Sequence, residues 1–175
     1  MRLRAAIVAA VFVAVFAFAS SAYAVTLYVG GSAASRGVGG ARLGSMDNYA
    51  ASHIGIPRYV SVIRDTSYSR AVLKWRFGGR LANGHYPVEM YAYDGAGTSD
   101  PVFQFNVWSG AYKTTAGVGV GSTAAYLTSK YKTTKLSPNS GSYDIYRYTY
   151  YGSRPYTDFY VTKSTQKVSR IYIYK

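Results

Sequence analysis

Cysteine is absent from this 175-residue chain, which excludes disulfide staples, thiol nucleophiles and thiolate metal sites. Acid is scarce: seven Asp and Glu face twenty Lys and Arg, and Glu89 is the single glutamate. Histidine occurs twice, as His53 and His85. His53 falls at the end of an expected helix, where a C-terminal or surface role is the simpler reading. His85 follows Asn83-Gly84, a turn signal, and has no partner at metal-ligand spacing. Asp94 and Asp100 flank a glycine loop with too few oxygen donors for calcium. Asp144 and Asp158 are the carboxylates that strand pairing could bring together. The chain is therefore expected to be no enzyme, with no catalytic residue, no metal and no cofactor.

A long hydrophobic run is also missing. Ala5 to Ala19 is apolar for fifteen residues, short of the roughly 18–20 that span a bilayer as a helix. Arg2 and Arg4 precede it, and Ala22-Tyr23-Ala24 offers small residues at a cleavage site, so residues 1–24 read as a secretory signal peptide removed near Ala24. No cysteine follows for lipid attachment. The mature chain is expected to be secreted, periplasmic or envelope-associated, with no transmembrane span.

The formal charge is +13, or +11 without the two leader arginines. It is lopsided: residues 25–112 hold eight basic and five acidic residues, and residues 113–175 hold ten and two. Such a surface attracts polyanions and loses them as salt rises. Outside a cell these are wall polymers, acidic glycans, anionic headgroups and acidic proteins, rather than nucleic acid.

What the chain has in abundance is glycine and tyrosine, and a segment that occurs twice. Residues 40–52 (GARLGSMDNYAAS) lie over residues 117–129 (GVGVGSTAAYLTS) at a constant offset of 77, with Gly, Gly, Ser, Tyr and Ser repeated. The echo predicts two copies of one supersecondary unit, residues 37–112 and 113–175, after a lead-in at 25–36. Gly117-Val118-Gly119-Val120-Gly121 is then a strand-to-helix turn and not a nucleotide loop, because lysines stand where a ribose-binding acid would be needed. Ser45 and Ser122 are expected N-caps of short helices at 46–53 and 123–131. Tyr49, Ala50 and His53 share a face of the first, and Ala124, Leu127 and Tyr131 a face of the second. Gly55 and Pro57 end the first helix.

Strands are expected at 71–77, 87–93 and 102–108, then at 143–151, 157–163 and 168–174, with turns at Gly78-Gly79, Asn83-Gly84, 94–97, 152–155 and 164–166. Residues 25–29 form a short strand or lead-in, residues 30–40 a flexible loop, and residues 58–70 an extra strand or ordered loop. Together these predict an α+β fold: two tandem units, each a short helical segment followed by an antiparallel meander, giving one curved sheet with helices on one face. Alternation puts Trp75, Phe77, Val88, Met90, Phe103, Phe105, Val107, Phe159, Val161, Ile171 and Ile173 under the helices. The opposite face carries Lys74 and the candidate binding residues Arg76, Tyr91, Tyr93, Trp108, Arg147, Tyr160, Arg170, Tyr172 and Tyr174.

Two segments carry a family resemblance. Residues 112–122 (YKTTAGVGVGS) resemble the strand, Gly-x-Gly-x-Gly turn and helix-opening Ser of small exported bacterial domains. Residues 158–163 with 166–173 resemble the hairpin that closes each unit. Together they are similar to the β-lactamase-inhibitor-protein-like (BLIP-like) fold, shared with SmpA/OmlA outer-membrane-assembly lipoproteins. The resemblance implies a helical hairpin backed by a curved antiparallel sheet, and non-catalytic binding of a macromolecule. The lipidated cysteine and the inhibitor's disulfides have no counterpart, and no inhibitory loop residue is matched.

Residues 143–156 (YDIYRYTYYGSRPY) interleave tyrosines with Arg147 and Arg154. Tyr and Arg are enriched at interface hot spots, while Tyr also simply suits an exposed sheet. The reading that follows is an exported binding or inhibitor-like protein, with Trp108 and Tyr172 as anchors and Arg76, Arg147 and Arg170 as steering charges. Its partner would be an extracellular or periplasmic protein. The alternative is an envelope-associated protein held electrostatically on anionic wall polymer or glycan.

Overall fold

The computed structural model describes residues 25–64, 70–94, 101–136, 141–150, 152 and 154–175. The signal-peptide reading, most of the 94–97 turn, Asp100, part of the 58–70 segment and Tyr151 lie outside the described residues. The fold is α+β. In chain order it runs β1 (Val25–Tyr28), a 3-10 turn (Ala33–Ser35), β2 (Gly37–Val38), β3 (Ala41–Arg42), α1 (Asp47–Ile54), β4 (Pro57–Ile63), β5 (Val72–Phe77), β6 (Val88–Tyr93) and β7 (Val102–Val107). It continues with β8 (Tyr112–Thr114), α2 (Ala124–Lys130), β9 (Thr134–Lys135), β10 (Tyr143–Tyr148), β11 (Tyr156–Thr162) and β12 (Lys167–Tyr174).

Period-two alternation of large apolar residues drives the main sheet. Eight strands stand in the order β4-β5-β6-β7-β12-β11-β10-β9, all neighbours antiparallel. The two meanders join where β7 pairs with β12, with Asn106 opposite Tyr172. A smaller sheet, β3-β2-β1-β8, has β1 at its centre, antiparallel to β2 and parallel to β8. Its short strands come from the stretch expected to be a flexible loop. The loop reading is corrected: Gly37 and Val38 are buried in β2, and Arg36 is wholly buried.

One core fills the space between the large sheet and a layer made of the small sheet and both helices. Met90, Phe105, Phe159, Ile171 and Ile173 meet Leu27, Val38 and Ala41 from the small sheet and Ala50, Ala51 and Leu127 from the helices. Each fully buried large side chain contributes roughly 1.5–3 kcal/mol. Among the described residues no helix is long and apolar enough to cross a membrane.

The helices are short and their caps differ from expectation. Ser45 and Ser122 each stand one residue too early. Met46 is the N-cap of α1 and makes no side-chain bond, while Thr123 caps α2 by accepting from the Tyr126 N–H at 3.2 Å. The serines serve the turn instead: the Ser45 N–H donates to Arg42 O and the Ser122 N–H to Gly119 O, both at 3.1 Å. Gly44 and Gly121 precede them at φ +84° and +93°, a left-handed conformation that favours glycine. Each then ties its turn to a strand start, Gly44 N to Val102 O and Gly121 N to Val168 O, both at 2.7 Å. Helix α1 buries Asp47, Ala50 and Ala51 rather than the Tyr49 face. Tyr49 is exposed, and its carbonyl bonds the His53 Nδ1 at 2.8 Å.

The large sheet has three register shifts; one leaves Arg58 extra at the start of β4, and the other two set the faces of the central strands. The register shifts between Tyr91 and Ala92, leaving Phe103 as the extra residue of β7. A second shift between Tyr160 and Val161 leaves Ser169 extra in β12. A bulge moves every later residue to the other face. Phe103 was expected under the helices; instead it packs with Val72, Tyr91 and Tyr93 on the opposite face, and Val102 takes the core position.

The aromatic and basic sheet face as a candidate binding site

Strand parity places all nine candidate residues on the helix-free face, but it divides them into three settings. The first surrounds Glu89, which is 3 % exposed. Lys74 Nζ is 2.9 Å from its carboxylate and Arg76 Nε 3.9 Å. Arg76 also donates to Ser61 Oγ at 2.9 Å. Tyr91 donates its hydroxyl to Glu89 at 3.1 Å and is itself buried. Tyr91 therefore presents no ring to a partner, and Arg76 is held inside the sheet's own network. Tyr93 lies at the margin of this region, stacked on Phe103 at 4.4 Å.

The second setting surrounds Asp158. Arg147 grips it with Nε and Nη2, each at 2.8 Å, and the Tyr174 hydroxyl donates to Oδ2 at 2.7 Å. The Arg147 guanidinium also lies over the Tyr156 ring at 4.2 Å. The hydrogen bond to Asp158 pushes the Arg147 pKa further up. Burial, with that bond, pushes the Tyr174 hydroxyl up as well, so it stays a donor. A forked guanidinium on a buried carboxylate is a structural clamp, and Arg147 is committed to it.

The third setting lies between the other two. The Arg170 guanidinium stands over four rings: Tyr160 at 4.1 Å, Tyr143 at 4.7 Å, and Trp108 and Tyr172 at 5.3 Å. His85 stacks on Trp108 with centroids 3.5 Å apart and planes within 3°. Tyr172 meets Trp108 edge-on at 6.1 Å and Tyr160 at 4.8 Å. Burial raises the pKa of both the Tyr160 and Tyr172 hydroxyls. Trp108 Nε1 and Arg170 Nε are buried and have no hydrogen-bond partner. Among the described residues no carboxylate pairs with Arg170.

Sequence reasoning named Trp108, Tyr160, Arg170 and Tyr172, and the structure brings these four together. It missed Tyr143, which the tyrosine-rich run contained, and His85, which the turn signal alone could not place on Trp108. It also missed the role of Glu89 and Asp158 in occupying two of the three arginines. Asp144 and Asp158 lie on opposite faces of the sheet, Asp144 bonded to Lys135 at 2.7 Å. They are not a carboxylate pair. Among the described residues no three of His, Asp and Glu come together as metal ligands.

Comparison with protein-family models, curated proteins and solved structures finds no match to this chain.

Proposed function

We propose that the protein is an exported, non-catalytic binding protein whose helix-free sheet face docks a macromolecular partner at the Trp108–Arg170 cluster. One observation carries the reading: two adjacent buried donors, Trp108 Nε1 and Arg170 Nε, lack an acceptor, inside a ring of tyrosines. Buried donors are nearly always satisfied, so an acceptor supplied by a partner completes this site. A carboxylate or carbonyl from a protein surface suits a guanidinium already held by aromatic rings. His85 already covers one face of the Trp108 ring, and the Arg170 guanidinium stands 5.3 Å from its centroid, which favours an acceptor at the ring edge over a sugar stacked on the plane.

The leader-like N-terminus supports export and an extracellular, periplasmic or envelope setting. From the BLIP-like resemblance the proposal keeps only a style of function, because fold analogy does not assign a partner. We also read the chain as two tandem units. Support comes from the hydrogen bonds of Gly44 and Ser45 recurring 77 residues on, from bulges at Phe103 and Ser169, and from a strand order that reverses about the β7–β12 junction.

A second reading, electrostatic retention on an anionic wall polymer or glycan, is favoured by the exposed Lys113, Lys130, Lys132, Lys163 and Lys167 of the second half. Capture of partners from the source's own culture on the immobilised mature chain, with stepped salt elution and mass spectrometry, separates the two. A protein partner that survives moderate salt and is lost from Trp108→Ala and Arg170→Ala baits supports the first reading. Retention of polymer alone, equal on all baits and abolished by salt, supports the second.

A further inference from the structure

The two edges of the large sheet are unlike each other. At one end β9 has two exposed residues, Thr134 and Lys135, the second a cation that discourages strand addition. At the other end β4 offers seven residues, paired on one side with β5 and, among the described residues, with nothing on the other. Three of its seven side chains are apolar and exposed, Tyr59 at 51 %, Val60 at 48 % and Val62 at 50 %. Of the devices that ordinarily blunt such an edge, β4 carries a proline and a bulged, exposed arginine at its start, Pro57 and Arg58, which leaves Tyr59 to Ile63 as the open stretch.

The helix-side surface next to this edge is apolar too. Val60 stands opposite Trp75 and Val62 opposite Leu73. Beside them, where α1 ends and β4 begins, is a cleft of about 470 Å³ lined by Ala51, Gly55, Ile56, Pro57 and Trp75 among others. Ile56 at its rim is 94 % exposed. The Trp75 indole N–H is buried without an acceptor. The place therefore offers a row of free backbone groups, a slot for an apolar side chain, and one donor waiting for an oxygen.

Charge selects the occupant. Arg58 and Arg64 stand exposed at the two ends of β4, and among the described residues neither is in an ion pair. The chain carries +13 overall, so a second copy would bring like charge to the same edge. We propose that β4 is a strand-addition site for an extended segment of another protein, apolar at alternate positions and acidic at both ends. Backbone hydrogen bonds to β4 supply affinity. Alternate apolar side chains on Val60, Val62 and the Trp75 cleft supply register, and carboxylates on Arg58 and Arg64 fix the ends. This site is independent of the Trp108–Arg170 face.

The test uses the whole mature chain and two labelled peptides, Glu-Glu-Val-Thr-Val-Thr-Val-Glu-Glu and its counterpart with lysine for every glutamate. Fluorescence anisotropy is expected to show saturable binding of the acidic-ended peptide, at least about tenfold tighter than the lysine-ended one. Hydrogen exchange is expected to slow at the backbone amides within residues 58–63. Val62→Glu, at a half-exposed position that does not threaten folding, should weaken binding by a similar factor, and Arg58→Ala with Arg64→Ala should abolish the preference for acidic ends. Absence of saturable binding, equal affinity for both peptides, or protection confined to other strands overturns the proposal. So does a dimer in sedimentation that Val62→Glu dissociates, since the occupant is then a second copy.

Discussion

Removing the Asp158 carboxylate tests the clamp most directly. Its side chain is 4 % exposed and receives three hydrogen bonds, two from Arg147 and one from Tyr174. Asp158→Ala takes the acceptor from the Tyr174 phenol and leaves the Arg147 guanidinium only its bond to the Tyr174 oxygen. Breaking a buried pair from one side costs about 3–5 kcal/mol. Arg147 retains 27 % exposure and recovers some hydration, which places the cost near the lower bound, about 3 kcal/mol. With a urea m-value of about 2 kcal/mol/M the midpoint falls by roughly 1.5 M. Arg147→Met should cost more, because it strands the more deeply buried carboxylate. The double variant should recover most of the loss, since an apolar pair of similar volume has no charge to desolvate. Urea unfolding at neutral pH, followed by far-UV circular dichroism, measures all three. A single-variant cost under about 1 kcal/mol, or losses that simply add in the double variant, refutes the clamp.

Met46 caps α1 with no side-chain bond, so Met46→Ser is expected to raise stability by up to about 1 kcal/mol, and Thr123→Ala to lower it by about as much; thermal melts of the two variants report both. Gly121→Ala should cost about 1–2 kcal/mol through backbone strain alone, because no atom lies within 4 Å of the added Cβ. Gly121→Asn should lose less, and equal unfolding midpoints for Ala and wild type would contradict the positive-φ argument. Burial raises the Tyr112, Tyr131, Tyr160, Tyr172 and Tyr174 hydroxyls. Between the unfolded pKa near 10 and the higher folded values the unfolded chain has released protons the native chain keeps, so stability falls with rising pH by at most about 1.4 kcal/mol per pH unit for each group. The contribution is complete below pH 10 and fades above it. Absorbance at 295 nm should show these tyrosines ionising together with unfolding, and free titration of all twenty without unfolding would refute it.

The strands were legible because period-two patterning is local. Trp75 and Phe77, Met90 and Val88, and Ile171 and Ile173 each declare a face within one strand, and the structure places them as expected. Phe103 was not legible, since Pro101 just before β7 reads as a strand boundary and nothing local announces an extra residue inside the strand. The small sheet escaped for another reason. Its strands hold two to four residues, and β1 is held by pairing with Tyr112, Lys113 and Thr114, nearly ninety positions away. Arg36 looked like part of a polar loop, yet its Nε donates to Gly31 O at 3.2 Å and its Nη1 to Thr157 Oγ1 at 3.5 Å, 121 residues on. Composition names arginines without saying which ones meet a carboxylate; only strand register puts Arg147 opposite Asp158 and Arg76 opposite Glu89.

That division separates two kinds of electrostatics that net charge alone merges. On the helix-free face the two described carboxylates, Glu89 and Asp158, hold Lys74, Arg76 and Arg147, while Arg70, Arg154 and Arg170 lie over aromatic rings with no described carboxylate. Exposed surplus charge sits on lysines of the second half, on Arg58 and Arg64 at the β4 edge, and on Arg70, Arg80 and Arg154. Charges of that kind act at long range and are screened, so they govern encounter rate and its salt dependence. Arg170 is different, because its charge is enclosed by rings and its Nε is already desolvated. An acceptor reaching it gains a hydrogen bond without stripping that atom of water, and the gain appears as slower dissociation. For one partner, neutralising the lysines should therefore lower the association rate and flatten its salt dependence, while Arg170→Ala should raise the dissociation rate at unchanged salt slope.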